Sequence, residues 1–427
     1  MRIVSVVGLG YIGLPTAVLA AQSGYKVCGF DVDQEKIERI NVGDAPIVEP
    51  EIEQRLHRVL KNNTFVASSI LKPADCFLIA VPTPLQNTIS HVLSAAEKIA
   101  TVLRHNNLVI LESTCPVGTT SKFARVLEKI SGLKLGIDFF VAYCPERVLP
   151  GKIFKELVSN DRIIGGMCEV SKNMAKQFYS QFVQGKLYLT DDKTAEMVKL
   201  VENSSRDVQI AFANQLGQMC EQAGINPYRV IEFANKHPRV NILKPGCGVG
   251  GHCIAVDPWF LIKGFNNCSD LLKIGRKIND AKPYHVIDTV LKHVNKLQDN
   301  GVTQPKVLAL GLAFKPDVDD LRESPALLIC NELSKKNKDF VLRVMEPNIS
   351  DNQIRELGFI SCENIFAGIE WADIVVILVE HKTFFEMKHI NLQEKVVVDT
   401  CGLLVEGEVK AGGEMVRTSV KYEEKML

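Results

Sequence analysis

One cysteine in the chain stands where a thiol could act as a nucleophile. The segment Gly246-Cys247-Gly248-Val249-Gly250-Gly251-His252-Cys253 ends a glycine-dense loop, whose backbone can come close to a ligand, on a sulfur atom. Asp257 follows four residues later. If Cys253 begins a helical turn, Asp257 falls on its face, and the N–H groups of that turn favour the thiolate. A thiolate so placed is a covalent nucleophile toward a carbonyl. The alternative is a buried structural thiol, since most cysteines are inert core residues, and the residues alone leave both open. His252 has no second ligand at metal spacing, so a packing or loop-ordering role is expected for it and no metal site. Lys199 and Asn203 stand four apart in a helical stretch, and their side chains project together. An ammonium beside an amide suits a developing oxyanion. On spacing alone a solvated helix face is the simpler account of that pair.

A second constellation opens the chain. Gly8-Leu9-Gly10-Tyr11-Ile12-Gly13 follows an apolar run and precedes a helical segment, and Asp31 ends the next apolar run. Gly8 allows the tight turn, Gly10 lets the backbone approach a pyrophosphate, and Gly13 permits close helix packing. The helix N-terminus adds free N–H groups for phosphate. Asp31 can accept from both adenosine ribose hydroxyls and repels a 2′-phosphate, so the predicted cofactor is NAD rather than NADP.

Elements that could position these groups are written as alternating strand and helix patterns. Ile3–Val7, Lys26–Phe30, 76–81, 108–112 and Phe139–Tyr143 are continuous apolar runs, as expected of parallel strands covered on both faces. A long helical stretch runs from Lys193 through Glu221, stopped by Gly224, and a second spans 269–297. After Thr303 the strand pattern returns at 306–311, Val341–Met345, 374–379 and Val396–Asp399. The predicted fold is α/β: two Rossmann-like parallel-sheet domains, at 1–190 and 301–427, joined by a central helical domain at 191–300. The halves read as distant versions of one plan.

Fifty basic and fifty acidic residues cancel over 427 positions, which leaves no electrostatic footprint for nucleic acid or an anionic membrane surface. No apolar run approaches the roughly 20 residues needed to cross a bilayer. Twelve scattered cysteines without a CxxC pair, and no cleavable leader at the start, predict reduced thiols and a cytoplasmic location. The central helix is apolar over more than one face, which predicts a homodimer or a higher homo-oligomer.

Several ordered strings resemble the UDP-glucose/GDP-mannose dehydrogenase family across nearly the whole chain. They are GLGYIGLPTA, Ser113-Thr114-Cys115-Pro116-Val117-Gly118-Thr119, YCPERVLPG from Tyr143, NDRIIGGM, the Lys199–Gln215 helix, HPRVNIL, GVGGHCIAVDPWF, and Gly311-Leu312-Ala313-Phe314-Lys315 through Arg322-Glu323-Ser324-Pro325. The resemblance implies a four-electron oxidation of a sugar C6 alcohol to a carboxylate with two NAD molecules used in turn. In that scheme the Cys253 thiolate adds to the aldehyde, the thiohemiacetal becomes a thioester, and water hydrolyses it. Lys199 and Asn203 would stabilise the oxyanion, Asp257 would assist proton transfer or orient water, Glu146 would be the base for hydrolysis, and Thr114 would position water and lie near the cofactor.

For NAD the family adds Tyr11, Ile12, Lys36, Thr83 in Val81-Pro82-Thr83-Pro84, and Arg322. For the substrate it adds Glu146, Arg147, Val148, Leu149, Lys199, Asn203, Arg239, Gly250 and Lys315. Without the family, Arg239 and Lys315 read as ordinary surface charges. The C-terminal domain would hold UDP, with the chemistry in an interdomain cleft. The longer strings point to a UDP-N-acetylhexosamine substrate, UDP-N-acetyl-D-mannosamine first, and to a precursor for surface polysaccharide. The alternatives are UDP-N-acetylglucosamine, UDP-glucose, a two-electron dehydrogenase or a non-catalytic nucleotide sensor. Two features depart from the family pattern: a short Leu85–Ser90 segment, and Cys247 where relatives often carry proline, six residues from Cys253.

Overall fold

The computed structural model describes residues 3–85, 89–336, 338–390, 392 and 394–404. By its internal contacts the chain forms two units, Met1–Glu202 with Trp259–Gly264, and Asn203–Pro258 with Phe265–Leu427.

In the first unit the apolar runs become strands. They are β1 (Ile3–Val7), β2 (Lys26–Phe30), β3 (Phe65–Ser68), β4 (Cys76–Ile79), β5 (Asn107–Leu111), β6 (Phe139–Tyr143), β7 (Arg162–Gly166) and β8 (Leu187–Asp191). Their order is β3-β2-β1-β4-β5-β6-β7-β8. The first six have the order of a doubly wound dinucleotide-binding sheet, with the ligand crevice beyond the strand ends where the order reverses. Alternate residues feed two cores: Val4, Val6, Leu78 and Ile110 face one layer, and Val7, Phe77, Ile79 and Val109 the other. Burial on both faces is why these strands read as unbroken apolar runs. At about 1.5–3 kcal/mol per buried aliphatic or Phe side chain, these positions dominate the unit's stability. One pairing is not parallel: β7 runs antiparallel to β6, with Ala142 opposite Gly166.

The second unit repeats the plan with β9 (Lys306–Leu310), β10 (Val341–Met345), β11 (Ile360–Ser361), β12 (Ile374–Ile377) and β13 (Val396–Asp399), ordered β11-β10-β9-β12-β13. Relative to its first strand this is the 3-2-1-4-5 order of the first unit. The likeness extends to the turn after the leading strand. Gly8 and Gly311 both take a left-handed φ, +94° and +98°, and each N–H donates to the carbonyl closing the second strand, Phe30 or Met345, at 2.8 Å.

The predicted central helices are present. Asp192–Ala223 runs 32 residues before Gly224, and Asp270–Asp299 runs 30. Strands β3, β7, β8 and β11 were not anticipated from the sequence.

Candidate active site

The glycine turn after β1 has the shape its spacing predicts. A Cβ on Gly8 would stand 2.6 Å from the Ala80 carbonyl oxygen, and one on Gly13 would stand 1.8 Å from the Gly8 oxygen. A Cβ on Gly10 would meet nothing within 4 Å. Two glycines are therefore required by packing, while the third keeps an open face where a pyrophosphate can reach the backbone. Tyr11 and Ile12 are half-buried at the start of helix Gly13–Gln22.

Asp31, directly after β2, is buried and accepts from Leu9 N at 2.8 Å and Asp33 N at 3.1 Å, and Lys36 Nζ lies 3.2 Å from Oδ2. A carboxylate has about four acceptor directions. Two serve backbone and one serves Lys36, so a ribose hydroxyl finds one open and a second when the flexible lysine yields. Glu346 occupies the matching place after β10, but it is saturated. It accepts from Leu312 N, Ala313 N, His381 Nε2, Asn348 N and Asn348 Nδ2 at 2.7–3.0 Å. His381 Nδ1 accepts the Asp317 N–H, so its ring proton sits on Nε2 and points at Glu346. The residues that fit NAD are those of the first unit.

Three further predicted residues of that unit are held by contacts the sequence did not reveal. Ser113 Oγ donates to the Val81 carbonyl at 2.8 Å, tying the Thr114 loop to the Val81–Pro84 turn that carries Thr83. Glu196, fully buried on the long helix, accepts from Gly118 N at 2.5 Å and from Thr120 N and Oγ1 at 2.7 Å. It caps helix Thr119–Ser131 and so fixes the same loop from the turn before Lys199. Lys199 is itself buried, 8% exposed, which removes the solvated-face account of that residue.

Glu146 follows β6 and pairs with Arg162, while Arg147 pairs with Glu202 at 2.7 Å. Val148 is half-buried and Leu149 exposed. Glu49 anchors the rest of that segment by accepting from Gly151 N and Ile153 N, both at 2.7 Å.

In the second unit Cys253 is exposed, which excludes the buried structural thiol. It lies one turn ahead of helix Asp257–Gly264, and the Asp257 N–H donates to its carbonyl at 2.8 Å. Asp257 is buried and accepts from Asn203 Nδ2 at 2.5 Å. The structure thus brings Asn203, Cys253 and Asp257 together by bonds the sequence spacing only half predicts. The loop base is fixed by a buried polar chain. Gly246 N donates to Asn214 Oδ1 at 2.9 Å, Asn214 donates to Asn279 at 2.9 Å, and Asn279 and Arg276 both donate to Asp207. Gly250 and Gly251 are tightly packed, and Gly251 N donates to the Arg322 carbonyl at 3.3 Å.

Burial, followed by the charge of Arg322, pushes His252 below its ordinary value, so its ring stays neutral near pH 7. Arg322 is exposed and chelates Asp320, Lys315 is half-buried, and Arg239 is exposed. Cys253 is exposed whereas Cys247 is buried, and burial pushes the Cys247 thiol up to about 12. Of the short Leu85–Ser90 segment, residues 86–88 lie outside the described residues. Among the described residues no helix is long and apolar enough to cross a membrane.

Comparison with known proteins agrees with this geometry. Residues 1–183 match the NAD binding domain of the UDP-glucose/GDP-mannose dehydrogenase family, 193–281 its central domain and 308–406 its UDP binding domain. A UDP-N-acetyl-D-mannosamine dehydrogenase of Campylobacter jejuni is 46% identical over 90% of this chain and 97% of its own. An NDP-N-acetyl-D-galactosaminuronic acid dehydrogenase of Ralstonia nicotianae is 43% identical over 94% and 96%. The solved UDP-D-ManNAc dehydrogenase of Pyrococcus horikoshii superposes with a TM-score of 0.84 at 40% identity, covering 95% of this chain and 97% of that one. The chain belongs to the UDP-glucose/GDP-mannose dehydrogenase family and is an NAD-dependent UDP-sugar dehydrogenase.

Proposed function

We propose that the substrate is UDP-N-acetyl-D-mannosamine and that its C6 alcohol is carried to the carboxylate through a thioester on Cys253. One observation carries the mechanism: an exposed thiol on a pinned glycine loop, one turn from a buried carboxylate that an amide side chain holds at 2.5 Å. Similarity to mannosamine dehydrogenases at 46% and 40% identity supports the sugar.

NAD, held by the first unit's glycine turn and Asp31, supplies the hydride acceptor in both oxidations. The roles of the chain's own groups follow from their chemistry. Lys199 and Asn203 stabilise negative charge on the C6 oxygen. The Cys253 sulfur adds to the aldehyde carbon, and Asp257 orients or moves the accompanying proton. For hydrolysis, Glu146 takes a proton from water placed by Thr114.

Thr83, Lys36 and Arg322 are proposed at the cofactor. Arg147, Val148, Leu149, Arg239, Gly250 and Lys315 are proposed at the substrate. In this account three divisions share the work: 1–190 for the cofactor, 191–300 for the thiol and subunit contacts, and 301–427 for UDP. Phe212 and Met219 on the long helix are each 56% exposed, and Leu271 on its neighbour 67%, apolar surface of the kind a homodimer covers. A cytoplasmic enzyme making a surface-polysaccharide precursor completes the proposal.

The 43% identity to the galactosaminuronic acid enzyme favours a second reading, another C2 or C4 epimer of the N-acetylhexosamine. Steady-state kcat/KM on separate UDP-N-acetylmannosamine, UDP-N-acetylglucosamine, UDP-N-acetylgalactosamine and UDP-glucose decides between them. A preference for any of the last three removes the mannosamine assignment.

A further inference from the structure

Arg162, the first residue of β7, carries a guanidinium only 4% exposed, and it bridges two carboxylates. Its Nη2 makes a short contact with Glu146 Oε2, and its Nη1 lies 3.1 Å from Glu112 Oε1. Glu112, next after β5 and with a fully buried side chain, also takes the Tyr179 hydroxyl on Oε1 at 2.7 Å. Among the described residues the other oxygen of Glu112 has no hydrogen-bond partner. The Tyr179 ring stacks 4.4 Å from the guanidinium, and the Cys144 sulfur lies 3.6 Å from Nη1.

Two carboxylates therefore compete for one cation in a buried pocket, and an ionised, unpaired oxygen there is costly. A proton on Glu112 relieves that cost and leaves Arg162 to Glu146. Burial, only partly offset by Arg162, lifts the Glu112 carboxyl to about 7, in keeping with that distribution.

We infer that Arg162, backed by Glu112 and Tyr179, is a positioning residue that fixes the orientation and charge of Glu146 for thioester hydrolysis. The inference rests on the proposed role of Glu146 as base. In the step it serves, a water oxygen bonds to the thioester carbon, its proton passes to the Glu146 carboxylate, the C–S bond breaks, and sulfur leaves as the Cys253 thiolate. In this step Arg162 acts through Glu146, whose carboxylate it keeps aimed. Within its own unit the charged and titratable groups facing Arg162 are Glu112, Glu146, Tyr179 and Cys144.

The test uses the full chain with NAD and UDP-N-acetylmannosamine, following uronate release after a single turnover across pH. Glu112→Gln keeps that residue neutral at every pH, so the loss of uronate release expected as Glu112 ionises near pH 7 and draws on the guanidinium should disappear. Tyr179→Phe weakens the anionic form of Glu112 and should move that loss to higher pH. Arg162→Lys should slow uronate release by about 10-fold or more while the first NADH is still formed at the normal rate. If Glu146→Gln hydrolyses normally, the role of Glu146 itself is wrong. If Glu146→Gln is slow but Glu112→Gln and Tyr179→Phe leave the pH profile of uronate release near pH 7 as in the parent, the inference about Arg162 is overturned. Because Tyr179→Phe deletes a single hydroxyl, that comparison stands even if Arg162→Lys fails to fold.

Discussion

The three glycines of the cofactor turn do different jobs, and single alanine substitutions separate them. A Cβ on Gly10 finds open space, and its backbone φ is outside the left-handed region. Gly10→Ala should therefore fold as well as the parent or better, by about 0.4–1 kcal/mol through the unfolded chain. The added methyl instead occupies the face from which the backbone meets a pyrophosphate. Overpacking of that kind costs about 1–3 kcal/mol, so NAD affinity should fall roughly 5- to 150-fold. At Gly13 the same methyl lands 1.8 Å from the Gly8 carbonyl oxygen, a backbone atom that cannot swing aside. Gly13→Ala should accordingly lower the apparent melting midpoint with no ligand present. The assay is thermal unfolding without NAD, paired with calorimetric titration of NAD. A Gly10→Ala protein that binds NAD as tightly as the parent would refute the account of the open face. A destabilised Gly10→Ala would show that the turn is read wrongly.

Other outcomes follow from the same contacts. Asn203→Ala strips the buried Asp257 carboxylate of a donor at 2.5 Å. It should lower kcat by about 10²–10³ while leaving the calorimetric affinity for NAD unchanged. Burial lifts the Glu112 carboxyl from an ordinary 4.5 to about 7, so between those values the native state binds the extra proton. Its contribution therefore weakens the fold as pH rises from 4.5 through 7, and Glu112→Gln should flatten the pH dependence of the unfolding midpoint in that window. Phe212→Glu puts a charge on exposed apolar helix surface and should shift sedimentation toward a smaller species. No shift would place the subunit contact elsewhere.

Much of the scaffold was legible because buried parallel strands are written as continuous apolar runs. β1, β2, β6, β10 and β13 fall where those runs lie. The strands that escaped have other signatures. β8 is largely exposed, β7 ends in two glycines, β11 has two residues, and β3 exposes Val66 in its middle. The antiparallel β6–β7 pairing has no local signal at all.

In the site, spacing was enough for the glycine turn, for Asp31 and for the proximity of Cys253 and Asp257. It misjudged Lys199, because a four-residue interval cannot say which helix face is covered. Arg162, Glu112, Tyr179 and Glu196 were missed as participants. Their partners lie 16, 50, 67 and 76 or more positions away, and only the folded sheet brings them into contact. A buried-charge signal was nevertheless present in β7, where an arginine precedes two isoleucines in a strand otherwise fit only for a core.

In the proposed mechanism one thiol carries the sugar between two oxidations. Counting NADH against uronate formed from UDP-N-acetylmannosamine, for the parent and for Cys253→Ser, tests it most directly. The parent should yield two NADH per uronate, and the serine protein should show no sustained uronate production. One NADH per product, or a Cys253→Ser protein completing both oxidations at the parent rate, would contradict it.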